Sequence, residues 1–216
     1  MPRSQDAINR SGAHAGPMLN RVTQLLEARH GHFKMESGHH SGTWFELGSL
    51  FDHPRTVRPF VAELATRLSR HRPEVVCGPI TGGAKLAKMI ATELGIDAVT
   101  AERFDAPRAT GLFPVRYRIA EPERGTTSGR RIAIVDDAIS AGSAVRGTHA
   151  DLITCGALPI ALGALVVFGD VAARFASENG LALEAIERMP FDMWRPAECP
   201  LCTAGVALDA GVAGSA

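Results

Sequence analysis

Asp136 and Asp137 stand side by side at the end of the apolar run Ile132-Ala133-Ile134-Val135, and Ser140-Ala141-Gly142-Ser143-Ala144 follows almost at once. Paired carboxylates can accept hydrogen bonds from sugar hydroxyls. A loop of small residues that opens a helix offers free backbone N–H groups, which cradle a phosphate. The two together suit a ribose 5-phosphate. The plainer alternative is a strand–helix turn in which Asp137 and Ser140 serve only as caps. Capping alone does not call for paired acids ahead of a Ser-Ala-Gly-Ser loop. A second stretch has the same build: Val75-Val76-Cys77-Gly78 runs into Thr81-Gly82-Gly83, with Lys85 close behind. Gly82 and Gly83 permit close backbone approach, Thr81 offers a hydroxyl, and Lys85 adds charge. Taken alone this is a tight turn and a solvated helix lysine; beside the first stretch it becomes a second phosphate loop.

Both loops need strands behind them and helices ahead. The four-residue apolar run at 132–135 predicts a buried strand over 131–135, and strands are also expected at 75–78, 96–101, 113–119, 159–168 and 181–186. Helical spacing predicts helices at 82–94, 141–155 and 170–178, the first two stopped by Gly95 and Gly156. Repeated strand–helix–strand units imply a parallel sheet covered on both faces, whose ligands sit at the carboxyl ends of strands. Ahead of this core, a helix over 17–28 is expected from Met18, Val22, Leu25 and Leu26, ended by Gly31. Short strands near 33–37 and 43–47 and a helix from 54 to about 70, capped by Asp52, follow. The expected divisions are a tail (1–16), an N-terminal helix and hood (17–71), an α/β core (72–188) and a C-terminal tail (189–216).

The 216 residues are 45% hydrophobic and 21% charged, enough for one full core. Twenty-three basic residues balance 23 acidic ones, so there is no electrostatic footprint for nucleic acid or an anionic membrane. No apolar run reaches spanning length, and the N-terminus lacks the apolar centre of a secretory signal. A cytoplasmic location is the expectation. Four cysteines do not make a disulfide framework at this size.

Asp136-Asp137-Ala138-Ile139-Ser140-Ala141-Gly142-Ser143-Ala144-Val145-Arg146 resembles the signature of the type I phosphoribosyltransferases, in the form found in orotate phosphoribosyltransferases. The resemblance extends over about residues 17–207. It implies an α/β fold with a central parallel sheet, flanking helices and a small N-terminal hood. It implies that residues 136–144 bind the ribose 5-phosphate of phosphoribosyl pyrophosphate, the acids holding its ribose hydroxyls and residues 140–144 its 5′-phosphate. Thr81, Gly82, Gly83 and Lys85 would take the pyrophosphate, with Mg²⁺ coordinated mainly by substrate phosphates rather than by a protein metal site. A loop between residues 101 and 119, carrying Arg103, Arg108, Arg116 and Arg118, is similar to the family's lid; Arg103 is the candidate catalytic cation. A lid suits this chemistry, because water would capture a cation-like sugar in an open site. A homodimer is implied if the lid crosses subunits.

Residues 31–46, Gly-His-Phe-Lys-Met-Glu-Ser-Gly-His-His-Ser-Gly-Thr-Trp-Phe-Glu, are similar to the family's hood over the base. Lys34, Trp44, Phe45 and Ser140 are the base-site candidates, the two aromatics serving equally well as hood core. The pattern departs from the family at two places. Glu36 stands where some members have lysine, and Val167-Phe168-Gly169-Asp170 stands where the family commonly ends a strand in Asp-Arg, whose arginine pairs with the orotate carboxylate. That ability belongs to arginine, so either another cation serves or the base is not orotate. Three functions therefore stay open: transfer to orotate, transfer to a purine or other base, and a regulator that binds phosphoribosyl pyrophosphate without turnover. His39-His40 has no third ligand at metal spacing and reads as a solvated turn. Cys199-Pro-Leu-Cys202 lacks a second pair; it reads as packing, with an intersubunit metal clip as the alternative.

Overall fold

The computed structural model describes residues 21–80, 82–105 and 111–209. The expected tail 1–16, the start of the expected first helix, Thr81 and Arg108 lie outside the described residues. The chain opens on an antiparallel hairpin, β1 (Glu27–Lys34) and β2 (His40–Glu46). The helix expected over 17–28 is not formed in its described part. Val22–Leu25 is a single 3-10 turn and Leu26 is extended. Glu187 explains the turn, its carboxylate accepting from the Thr23 N–H at 3.1 Å and the Thr23 hydroxyl at 2.9 Å. Beyond it, the backbone groups pair with β2 instead of forming helix. Gly31 is no helix stop. It lies in β1 where the register shifts, and the Phe33 ring folds over it, 2.8 Å from where a Cβ would be.

A short 3-10 turn, Gly48–Phe51, leads to α1 (Pro54–Ser69). Pro54 takes the first helical position, where its missing N–H costs nothing. Asp52 closes the preceding turn and does not cap α1; His53 occupies that position. Val57, Phe60, Val61, Leu64 and Leu68 are buried as the helical spacing predicts.

Six strands form the central sheet: β3 (Val75–Pro79), β4 (Asp97–Asp105), β5 (Val115–Ile119), β6 (Arg131–Ile139), β7 (Leu158–Phe168) and β8 (Ala182–Met189). Their order is β5-β4-β3-β6-β7-β8, all pairs parallel except the edge pair of β4 and β5. Helices α2 (Gly82–Leu94), α4 (Ser143–Thr154) and α5 (Val171–Glu178) cover it, and α3 (Glu121–Arg124) and α6 (Pro200–Thr203) are single turns. Strand alternation divides the core between the two faces. Ile132 and Ile134 join the cluster that includes Val145 and Phe175, while Ala133 and Val135 join that of α1 and α2.

The hairpin strands expected near 33–37 and 43–47 lie at Glu27–Lys34 and His40–Glu46, and three boundaries near the site also move for physical reasons. β4 continues through Arg103, so this residue lies in a strand opposite Tyr117 rather than in a polar loop. β6 continues past Val135 to Ile139, because Ala138 and Ile139 keep pairing with Val166 and Val167. α4 begins at Ser143, not Ala141, because Gly142 takes the left-handed conformation, φ 79°, and forms its cap. After β8 the tail returns to the hairpin. Trp194 and His40 exchange backbone hydrogen bonds at 2.8 and 2.9 Å.

Candidate active site

β3, β6 and β7 end together, and a cavity of about 450 Å³ opens above them. Asp136 and Asp137 line its floor. The Asp137 N–H donates to Asp136 Oδ1 at 3.1 Å, and the Ala138 N–H to Asp137 Oδ1 at 2.8 Å. These local bonds fix both carboxylates. Burial disfavours their charge and raises both pKa values. Asp136 is raised the more clearly, by desolvation first and then by the charge of Asp137. For Asp137, desolvation outweighs the opposing pull of the Ala138 N–H and of Lys85.

The two glycines act by what they lack. A Cβ on Gly82 would lie 1.8 Å from Asp137 Oδ2, and one on Gly83 would lie 2.8 Å from Asp136 Oδ1. A Cβ on Gly78 would in turn strike the Gly83 carbonyl oxygen at 2.0 Å. Only bare backbone lets the first turn of α2 sit against the acids. The spacing of Gly82 and Gly83 in the sequence was the signal for this. Lys85 lines the same cavity, its ammonium 5.9 Å from the centroid of the Phe51 ring.

Residues 138–144 all line the cavity. The first-turn N–H groups of α4 have no intrahelical partner. Ser143 Oγ is buried and has no hydrogen-bond partner among the described residues. A buried hydroxyl left so is costly, and an anion at this helix start would satisfy it together with the N–H groups.

The hairpin roofs the other end. Met35, Glu36, Ser37, Trp44 and Phe45 line the cavity, and Lys34 stays exposed outside the lining. Phe45 stacks on Phe168 at 4.7 Å between ring centroids, and Phe191 leans on both. Trp44 Nε1 is a second buried donor with no partner among the described residues. Phe168, at the departure from the family pattern, is thus part of an aromatic wall. Among the described residues no arginine lines the cavity.

Arg103 reaches the site through an intermediary, its Nη1 lying 3.5 Å from Glu36 Oε2. The Tyr117 hydroxyl donates to the same carboxylate at 3.0 Å. Burial and the Glu36 charge push the Tyr117 phenol well up. Tyr117 and Glu36 were not expected as a pair; the buried–exposed alternation of β5 was the available signal for Tyr117. Nothing local marks Phe191. Arg116 and Arg118 are exposed on the edge strand, Arg118 over the Phe104 ring.

His40 departs furthest from what the sequence predicts. It is 6% exposed, not part of a solvated turn. It sits on the side of the hairpin that faces the tail, with Cys199 and Cys202.

No family model matches the chain. Among solved structures, adenine phosphoribosyltransferase from Trypanosoma brucei, in complex with AMP, pyrophosphate and ribose-5-phosphate, superposes with a TM-score of 0.60. It is 13% identical, and the match covers 82% of this chain and 81% of that one. Orotate phosphoribosyltransferase from Aeropyrum pernix superposes at 0.57 with 18% identity, over 75% and 88% of the chains. The fold is that of the type I phosphoribosyltransferases. An orotate phosphoribosyltransferase of Caldanaerobacter subterraneus is 30% identical over 180 residues, 82% of this chain and 86% of the relative. The chain belongs to the orotate phosphoribosyltransferase family, whose members are pentosyltransferases.

Proposed function

We propose that this protein transfers ribose 5-phosphate from phosphoribosyl pyrophosphate to orotate, giving orotidine 5′-phosphate and pyrophosphate. The observation that carries the reading is the meeting of the acid pair with the bare backbone of Gly82 and Gly83 in one cavity. Asp136 and Asp137 hold the ribose hydroxyls. Residues 140–144 hold the 5′-phosphate, with Ser143 Oγ supplying a buried donor that has no partner among the described residues. Gly82, Gly83 and Lys85, with Thr81, hold the pyrophosphate. A base nitrogen attacks C1′, the bond to pyrophosphate breaks on the opposite face, and configuration inverts. Alignment of the two substrates and stabilisation of charge account for the rate. Arg103 acts through Glu36, which it orients beside the sugar.

Two half-buried carboxylates beside a phosphate loop are the hard oxygen donors that Mg²⁺ accepts. When bound with the substrate phosphates, Mg²⁺ neutralises charge on the leaving pyrophosphate. We take residues 72–188 as the transferase core and β1–β2 as the hood over the base. A cytoplasmic homodimer is the proposed state; among the described residues no helix is long and apolar enough to cross a membrane.

One observation favours a second reading, in which another base is the acceptor: the base end is walled by Phe45, Phe168 and Phe191 and lacks arginine among its described lining. Purified protein, phosphoribosyl pyrophosphate, Mg²⁺ and a panel of bases decide, with products separated by chromatography. Orotidine 5′-phosphate is expected. A purine nucleotide alone favours the second reading, and binding without product overturns both.

A further inference from the structure

The hairpin has a second chemical centre, shared with the C-terminal tail and outside the lining of the transferase cavity. β1 brings His32, β2 brings His40, and the tail brings Cys199 and Cys202 around α6. The first three are at most 6% exposed. One ligand atom from each of the four lies within 4.8 Å of all the others. His32 Nε2 is 3.0 Å from His40 Nδ1, 3.4 Å from Cys199 Sγ and 3.7 Å from Cys202 Sγ. Cys202 Sγ is 3.3 Å from His40 Nδ1. Two thiolates and two imidazoles placed tetrahedrally around zinc would stand roughly 3.3–3.8 Å apart, from bond lengths of about 2.3 and 2.0 Å. Three of these four separations fall in that range and the fourth, 3.0 Å, lies just below it.

The tautomer agrees. His32 Nδ1 lies 2.7 Å from the Val206 carbonyl oxygen. A carbonyl only accepts, so Nδ1 carries the proton and donates it. His32 Nε2 is left with its lone pair facing the two sulfurs and His40. An outer hydrogen bond of this kind is what orients a metal-bound imidazole. The backbone sets the pairs in register. His40 bridges Trp194 in both directions, the Asp209 N–H donates to the His32 carbonyl at 2.8 Å, and the Ser41 hydroxyl donates to the Asp192 carbonyl at 2.9 Å.

We propose that His32, His40, Cys199 and Cys202 form a closed structural site for one zinc ion that clips the C-terminal tail to the hood. Two sulfur and two nitrogen donors in a tetrahedron select zinc among common divalent ions. All four positions come from the chain, so none is open for catalysis. The clip is intramolecular, and it acts on the hairpin whose Met35–Ser37 and Trp44–Phe45 segments line the transferase cavity.

The test is metal analysis of the full chain, expressed with zinc and purified under reductant. We expect about one zinc per chain, kept in Cys77→Ser and lost in Cys199→Ser/Cys202→Ser and in His32→Ala. Replacing zinc with Co²⁺ in the wild-type chain is expected to give intense tetrahedral absorption bands with a thiolate charge-transfer band. This second readout needs no variant to fold, and neither readout depends on transferase activity. Wild-type protein that binds neither zinc nor Co²⁺ would overturn the proposal. So would stoichiometric zinc in the double cysteine variant, or a Cys199–Cys202 disulfide in the reduced preparation.

Discussion

Two acids so close together, held by neighbouring N–H groups and half-buried, are costly to ionise in the free protein. Their raised pKa values make that cost readable as stability. A carboxylate whose folded pKa lies above its unfolded value binds more protons when folded, so stability falls as pH rises between the two values. Asp136→Asn removes that penalty. The variant is expected to melt above wild type at neutral pH, with the gap closing as pH falls toward the ordinary carboxylate range of about 4. Thermal melts across pH check this; a variant less stable than wild type at pH 7 contradicts it. Asp137→Asn keeps the shape and loses the charge that holds the sugar. Turnover is expected to fall by roughly 10²-fold, the scale of misplaced reactants, with no loss of melting temperature, because burial raises the Asp137 pKa as well. Gly82→Ala places a methyl against Asp137 Oδ2, and steady-state kinetics on it are expected to show a similar loss.

Among the elements, the α4 start is exacting in its backbone conformation. Gly142 combines φ 79° with a Cβ position 3.3 Å from Val145 Cγ2. Gly142→Ala is expected to cost about 1–2 kcal/mol, the strain of a left-handed L-residue, measured by denaturant unfolding. The turn at residues 140–144, the proposed phosphate loop, was legible in the sequence as a strand–helix junction because its requirements are local: small residues, a left-handed glycine and a helix start. The strands at the sheet centre were legible for the same reason, as short apolar runs. The helix expected over 17–28 was not formed as read because Glu187, far along the chain, holds Thr23, and because β2 pairs with the residues that follow. Arg103 was misplaced into a loop because β4 outlasts its apolar run through pairing with β5. The cluster of His32, His40, Cys199 and Cys202 joins segments over 150 residues apart, and neither His-His nor Cys-x-x-Cys alone reports the other.

Across the whole molecule, the proposed site divides into two parts of different origin. The sugar-phosphate half is built on the sheet, between α2 and α4. The base half is built by the hairpin, and the tail steadies it through Trp194, Asp192 and the Arg29–Asp209 ion pair at 3.1 Å. A chain ending at Phe191 keeps the first half and loses the latch on the second. KM for the base is therefore expected to rise more than KM for phosphoribosyl pyrophosphate; an equal rise in both would contradict this division. The departure at Phe168-Gly169 falls in the proposed base half, so on that reading it bears on the acceptor and not on the sugar-phosphate loops. The central claim is that both halves serve one transfer. Its most direct test is the stoichiometry of orotate-dependent pyrophosphate release by the purified protein with phosphoribosyl pyrophosphate and Mg²⁺. Equal amounts of orotidine 5′-phosphate and pyrophosphate, abolished without orotate, are the expected result. No pyrophosphate release with orotate would contradict the account.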